Sequence, residues 1–135
     1  MAVSAYADDD THPVKQIVDN VCVAHGWHRP EWYLRMQAEA APKLATPARA
    51  VQEAGALAGA EARRVRVDFA DLAPEALIAW RMGMAQLAPF LSTLTAVERA
   101  EIASEARAWL GGDPPPLVRS MIVVTWTKPR TLGSA

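Results

Sequence analysis

Histidine and cysteine could hold a transition metal in this chain, but their spacing argues against it. His25 and His28 flank Gly26-Trp27, and no third or fourth ligand follows at a spacing typical of zinc sites. The single cysteine, Cys22, lies in an apolar stretch, which is typical of a buried, unreactive thiol. We therefore expect no metal site, and we expect the two histidines to cap a helix end or to line a pocket.

Three consecutive aspartates, Asp8, Asp9 and Asp10, form an acidic cluster near the start of the sequence. Carboxylates are hard ligands for divalent cations, but this segment lacks the glycine turn and the distal glutamate of an EF-hand loop. Negative charge is also favoured beside a helix N-terminus, and Pro13 is typical of a first helical turn. The sequence therefore favours a solvated acidic turn over a cation site.

Aromatic and methionine side chains are the best candidates for a ligand pocket, because they are large, polarisable and adaptable. The whole group comprises Trp27, Trp32, Tyr33, Met36, Trp80, Met82 and Met84. Burial in the core is the competing interpretation for each of them. Trp27, Trp32 and Tyr33 are preferred as pocket residues because they lie near a segment rich in glycine and proline, and we expect them to be partly exposed. With His28 and Met36 they form the candidate substrate-side pocket.

Motifs that would make a self-sufficient active site are missing from the sequence. It contains no glycine-rich dinucleotide or phosphate loop, and no serine stands in the glycine frame of a nucleophile elbow. Arg63, Arg64 and Arg66 form a basic cluster, but the aromatic residues that single-stranded nucleic-acid binding would need do not alternate with them. The net charge of −1 likewise gives no general attraction to nucleic acid or to an acidic membrane.

Length and composition restrict the class of protein. A chain of 135 residues corresponds to one domain at most, and an apolar fraction of 51% is enough for a core. A single cysteine cannot form an internal disulfide, which fits a reducing cytoplasm. Residues 1–20 lack the cationic segment of a signal peptide, and no apolar run approaches the ~18 residues needed to span a bilayer. We therefore expect a cytoplasmic protein.

Three segments are predicted to form β-strands. Arg119–Thr127 is a nearly unbroken apolar run, which is typical of a strand buried on both faces. In Arg63–Phe69 apolar and charged residues alternate, as in a half-exposed strand at the edge of a sheet. Ala2–Tyr6 is the third candidate.

About five helices are predicted between these strands. Their expected starts share an N-cap residue or a first-turn proline: Pro13, Pro30, Pro47, Pro74 and Thr95. Thr95 and Glu98 together form a capping box. The helix from Pro74 is expected to continue to Pro89, and the last helix to carry Trp109 on its apolar side.

Taken in order, these segments resemble the C-terminal half of a class I S-adenosylmethionine-dependent methyltransferase of the small-molecule branch. Residues 1–10 resemble the fifth strand and its exit loop, 11–42 a helical, lid-like insertion, 43–72 the helix with its Ala54-Gly55 stop and the sixth strand, 73–112 a helical insert, and 117–128 the terminal seventh strand. The resemblance covers nearly the whole chain and depends on the order of the segments.

The resemblance implies an α/β fold: a partial Rossmann-like sheet of about three mixed strands, in the family order 5-7-6, with about five helices in a single partial domain, residues 1–135. The family binds S-adenosylmethionine through a glycine-rich loop after the first strand, an acidic residue ending the second, and the loop after the fourth. These elements have no counterpart in this sequence. The resemblance therefore implies a truncated, methyltransferase-like protein that carries the substrate-side half, is not catalytic alone, and by itself needs no cofactor.

The resemblance also implies a partner. In the family, the outer edge of the fifth strand pairs with the fourth strand, so Ala2–Tyr6 is expected to be an exposed edge that recruits a complementing chain or a second copy of this chain. Neither nucleic acid nor a membrane is expected as a partner. The alternative, from a different class, is a small non-catalytic ligand-binding or protein-interaction module.

Overall fold

The computed structural model of this chain describes residues 1–69 and 71–127. Its strands are β1 (Ala2–Tyr6), β2 (Glu61–Phe69) and β3 (Leu117–Thr125). Its α-helices are α1 (Pro13–Ala24), α2 (Glu31–Arg35), α3 (Pro47–Glu53), α4 (Pro74–Met82), α5 (Ala88–Ser92) and α6 (Ala96–Leu110), and a π-helical segment (Met36–Ala40) and a 3-10 turn (Ala41–Leu44) follow α2. The described chain is an α/β structure, and none of its described helices is long and apolar enough to cross a membrane.

The predicted helix starts are largely confirmed, because side chains satisfy the free N–H groups of the first turns. Thr46 accepts a hydrogen bond from the Arg49 N–H at the start of α3. Thr95 and Glu98 form the predicted capping box at the start of α6. Gly26, which follows the end of α1, has a φ of +95°, a conformation that favours glycine.

The prediction of one long helix from Pro74 to Pro89 is wrong. α4 ends at Met82, with Gly83 as its C-cap, and a separate helix, α5, begins at Ala88. Pro89 lies in the first turn of α5. Proline has a helical φ and needs no hydrogen-bond acceptor there, so the residue that was expected to end a helix begins one.

The three strands form one sheet in which β3 lies between β1 and β2. In the β1–β3 pair, Ala2 lies opposite Thr125 and Tyr6 opposite Met121. The sheet is antiparallel. The expected strand directions agree with the structure, since β1 and β2 run the same way and β3 runs against both; the sheet is antiparallel rather than mixed, because no two paired strands are parallel.

One compact unit, the helical unit, comprises Thr11–Leu34 and Asp68–Val118. Its core lies where α1, α4 and α6 pack together. Ile102, Ala106 and Leu110 form the buried stripe of α6, spaced four residues apart. Trp109 lies one residue away from that stripe and is 72% exposed, so its predicted place on the apolar side is wrong.

The other unit, the sheet unit, comprises Met1–Asp10, Arg35–Val67 and 119–127. On one face of β3, Ile122 and Val124 are buried in a cluster with Ala50 of α3, and Leu44 packs against this cluster. Val123, on the opposite face, is only half-buried. The prediction of burial on both faces therefore agrees with the structure at Arg119 and Ser120, which are both buried, and is wrong further along the strand, where one face is only half-buried.

Candidate functional site

The predicted pocket residues lie in different environments. Trp27 is 3% exposed and Tyr33 is 8% exposed, both within the helical unit. Trp32 is 52% exposed and meets the Tyr33 ring edge-on, with the ring centroids 5.7 Å apart. His28 is exposed, and Met36 is 39% exposed in the π-helical segment of the sheet unit. The expectation of partial exposure is thus wrong for Trp27 and Tyr33, and it agrees with the structure for Trp32.

Tyr33 is buried because its hydroxyl joins an ion pair between α1 and α4. Arg81 donates through Nε and Nη2 to the two carboxylate oxygens of Asp19, at 2.9 and 2.7 Å. Nη2 also donates to the Tyr33 hydroxyl at 3.3 Å. In the amide orientation that satisfies both groups, the oxygen of buried Gln86 accepts from Nη1 of Arg81 at 2.9 Å. We call Asp19, Tyr33, Arg81 and Gln86 the buried network.

The buried network is suited to holding helices together rather than to binding a ligand. Burial opposes the positive charge of Arg81, but hydrogen bonds to Asp19 and Tyr33 outweigh burial and raise the pKa of Arg81. All three guanidinium nitrogens are engaged within the network. A planar guanidinium that forms two hydrogen bonds with a carboxylate also fixes the relative orientation of the two groups. The network therefore positions α2 through Tyr33.

Cys22 does not have the environment of a nucleophile. Its side chain is fully buried in the helical unit. Burial, and to a lesser extent the nearby charge of Asp19, raise the pKa of the Cys22 thiol to about 11, although Arg81 opposes this rise. The thiolate is the reactive form, so this thiol is protonated and inert near neutral pH.

Two of the histidines serve helix ends. His12 caps α1, where its Nδ1 accepts from the Val14 N–H at 3.1 Å and its Nε2 lies 2.8 Å from the Pro115 carbonyl oxygen. His25 is the C-cap of α1, and its Nε2 lies 3.0 Å from a carboxylate oxygen of Glu105. Within 1–69 and 71–127, no cluster of at least three His, Cys, Asp or Glu side chains could hold a metal ion.

The acidic segment after β1 is not a solvated turn throughout. Asp10 is buried and accepts two hydrogen bonds from the Arg119 guanidinium, both at 3.0 Å, and one from the Ser120 N–H at 2.8 Å. The Arg119 guanidinium also lies 4.2 Å from the centre of the Tyr6 ring. The prediction of a solvated acidic turn is therefore wrong for Asp10. Its buried carboxylate holds the segment that follows β1 against β3.

Asp8 and Asp9 lie on the surface and pair with arginines of β2. Arg64 donates to Asp8 at 2.9 Å and also to Asp9, while Arg66 lies 3.6 Å from Asp9. Arg64 of the basic cluster is thereby paired with the acidic segment, and Arg66 lies within ion-pair distance of it.

The two ends of β1 reveal which of its backbone groups pair with β3. Met1 accepts from the Trp126 N–H at 3.0 Å, and Ala7 donates to the Ser120 carbonyl at 2.9 Å. These two residues flank β1, and both have odd numbers. In an antiparallel pair, residues that exchange hydrogen bonds alternate with residues that do not. The odd-numbered residues of β1 therefore direct their N–H and C=O groups toward β3.

The even-numbered residues direct these groups to the opposite side. Asp8 shows this directly, because its N–H donates to the Ala45 carbonyl at 3.0 Å rather than to β3. By the same alternation, Ala2 and Ser4 point their backbone N–H and C=O groups to the outer edge of the sheet. An edge that presents such groups can accept a further strand.

A small apolar pocket opens beside this edge. Its cavity volume is only about 10 Å³, and it is lined by Val3, Ser4, Ala5, Leu44, Ile122 and Val124. Val3 itself is 49% exposed. Apart from Ser4, the residues that line this pocket are apolar, and none of them is an acid or a base.

Sequence reasoning identified β1 as an edge but not this pocket. Leu44 comes from a 3-10 turn that the sequence pattern does not predict, and it reaches β1 across many intervening residues. The available signal was the composition of Ala2–Tyr6, which lacks the charges and proline that commonly protect an edge strand.

Comparison with known protein families, with curated proteins and with solved structures finds no match to this chain.

Proposed function

We propose that this chain is the substrate-side half of a methyltransferase-like fold and that it is not catalytic without a cofactor-binding half. The half that binds S-adenosylmethionine would come from residues outside these 135 or from another chain. A Rossmann-like family, the strand order 5-7-6 and a cytoplasmic setting are parts of this proposal.

The arrangement of the sheet is the observation that supports the proposal. β3 lies between β1 and β2 and runs against both, while α3 precedes β2 and packs on the sheet. The family places its seventh strand in this way between the fifth and sixth strands. In the proposal, the exposed side chains of His28, Trp32 and Met36 remain substrate-side candidates, and Trp27 and Tyr33 support that segment from within the core.

Calorimetry with S-adenosylmethionine tests the proposal. Titration into the isolated chain is expected to give no binding, because a glycine-rich loop and a ribose-binding carboxylate are missing from its sequence. The coding sequence beside that of residues 1–135 should encode such a half. Co-expression of the two halves should restore micromolar binding.

Two results would contradict the proposal. Micromolar binding of S-adenosylmethionine to the isolated chain would show that the cofactor site lies elsewhere than proposed. Neighbouring coding sequence without a cofactor-binding half would favour the second candidate, a protein-interaction module. The open edge of β1 specifically favours that candidate over a small-ligand binder, because Trp27 and Tyr33, two of the predicted pocket residues, are buried.

A further inference from the structure

We propose that the outer edge of β1 binds a second copy of this chain. The two β1 strands would pair antiparallel, with Val3 of one copy facing Val3 of the other. The inference is argued from the geometry of the sheet unit and uses no evidence from the methyltransferase proposal.

The backbone of β1 is complementary to itself in this register. Ala2 of one copy lies opposite Ser4 of the other, and both residues direct their N–H and C=O groups outward. Two such pairs, related by a two-fold axis, exchange hydrogen bonds in the pattern of an antiparallel ladder. Val3 then occupies the position between them, where residues do not exchange hydrogen bonds and the Cα atoms approach to about 4.5 Å.

Apolar side chains favour the same register. Val3 is 49% exposed and borders the pocket whose other walls include Leu44, Ile122 and Val124. Across the two-fold axis, Val3 of the second copy would lie against Val3 of the first. Each valine would then lose exposed apolar surface beside the pocket, which favours association.

Charge permits two identical edges to meet. Ala2–Tyr6 contains no charged side chain. The nearest acidic residues, Asp8 and Asp9, are already paired with Arg64. The α-ammonium of Met1 donates to the Trp126 carbonyl at 2.7 Å, and in this register the two ammonium groups lie at opposite ends of the paired segment. Two copies can therefore approach along β1 without directly facing like charges.

The two-fold axis is placed at Val3 because the edge is already occupied beyond the C-terminal end of β1. The Ala45 carbonyl accepts from the Asp8 N–H, so the chain itself occupies the outer edge at that point. Ala2 and Ser4, at the opposite end of β1, remain directed outward. A second strand therefore fits best when it is centred on Val3.

Disulfide trapping tests the register. In Val3→Cys, the two introduced thiols would face each other at a Cα separation compatible with a disulfide, so mild oxidation should give a covalent dimer. In the matched variant Ser4→Cys, the two cysteines would be diagonal neighbours with Cα atoms about 7–8 Å apart, outside the usual range for a disulfide, and should cross-link much less. The natural Cys22 is buried and should not contribute.

Analytical ultracentrifugation tests the edge itself. The unmodified chain should dimerise as its concentration rises, and so should Ser4→Ala, which keeps the backbone N–H. Ser4→Pro removes an outward N–H without removing a donor to β3, and should weaken dimerisation about tenfold or more. Circular dichroism shows whether the proline variant is folded, and the cysteine variants decide the question if it is not.

Three outcomes would overturn the inference. The first is a chain that stays monomeric at all accessible concentrations. The second is a dimer that a folded Ser4→Pro leaves unchanged, which would place the contact elsewhere. The third is efficient cross-linking of Ser4→Cys with none of Val3→Cys, which would refute the register centred on Val3.

Discussion

Arg81 illustrates how a single residue in this chain serves packing rather than catalysis. It is 6% exposed, and its partner Asp19 is 7% exposed. A buried pair of this kind is costly to break, because removal of one partner leaves the other as an uncompensated charge. Sequence patterns could not reveal the pair, since 62 positions separate the two residues.

Removal of the guanidinium should therefore be strongly destabilising. Arg81→Met is expected to lower the free energy of unfolding by about 3–5 kcal/mol, because Asp19 would remain buried and charged. The double variant Arg81→Met/Asp19→Leu should recover much of that loss. Urea denaturation measures both. The control is Glu75→Gln, which neutralises one partner of the more exposed Arg107–Glu75 pair and should change stability little.

Reactivity of Cys22 provides a second test at this scale. The thiol pKa rises from 9.0 to about 11. Since each pKa unit changes the thiolate fraction tenfold, the folded chain should have about a hundredfold less thiolate at mildly alkaline pH. A thiol-specific disulfide reagent should react fast only after unfolding in guanidinium. Rapid reaction of the folded chain would mean that the site around Cys22 opens.

At the scale of elements, the starts of helices are more predictable from the sequence than the faces that the helices bury. Thr46 and Thr95 are N-caps, and their types and spacing were sufficient to locate α3 and α6. The break between α4 and α5 was missed because Pro89 can either end a helix or begin one. Local chemistry thus determines where a helix starts, whereas tertiary packing determines which of its faces is covered.

The capping box of α6 should make stability depend on pH. The Thr95 N–H and hydroxyl donate to the Glu98 carboxylate, and these hydrogen bonds lower the pKa of Glu98 below 4.5. Because the folded-state pKa is the lower one, the stabilisation is complete above the unfolded-state pKa and is lost as pH falls through the folded-state value. Denaturation at a series of acidic pH values should show a smaller acid-induced loss for Glu98→Gln. The exposed Glu101, outside the capping box, provides the control substitution Glu101→Gln.

The two faces of β3 should respond differently to truncation. Ile122 is fully buried under α3, whereas Val123 on the opposite face is half-buried. Ile122→Ala should cost about 2–5 kcal/mol of unfolding free energy, because it leaves a cavity. Val123→Ala should cost clearly less, as measured by thermal or urea unfolding. Equal costs would mean that both faces are covered in solution.

At the scale of the whole molecule, the tryptophans report how burial is distributed. Trp27 is 3% exposed, Trp32 is 52% exposed and Trp109 is 72% exposed. In variants that keep one tryptophan and replace the others by phenylalanine, acrylamide should quench Trp109 and Trp32 strongly and Trp27 weakly. Strong quenching of Trp27 would restore the sequence-based expectation of an exposed segment.

The whole molecule also links the two proposals. A cofactor-binding half that extends the sheet beside β1 would use the edge that we assign to the second copy. The two partners should therefore compete, and co-expression with such a half should abolish the Val3→Cys cross-link. The resemblance implies the open edge, because the family's fourth strand has no counterpart here, but it does not imply the register, which depends on where Ala45 and Leu44 lie.

The central position of β3 has a consequence for synthesis of the chain. β3 is the last of the three strands in chain order, yet it lies between the other two. Asp10 and Ser120, which meet where β1 leaves the sheet, are 110 residues apart. Contacts between residues so far apart in the sequence form slowly, because a long loop must close first. On the ribosome, β1 and β2 would therefore emerge without their central strand, and the sheet could form only after β3 has been translated.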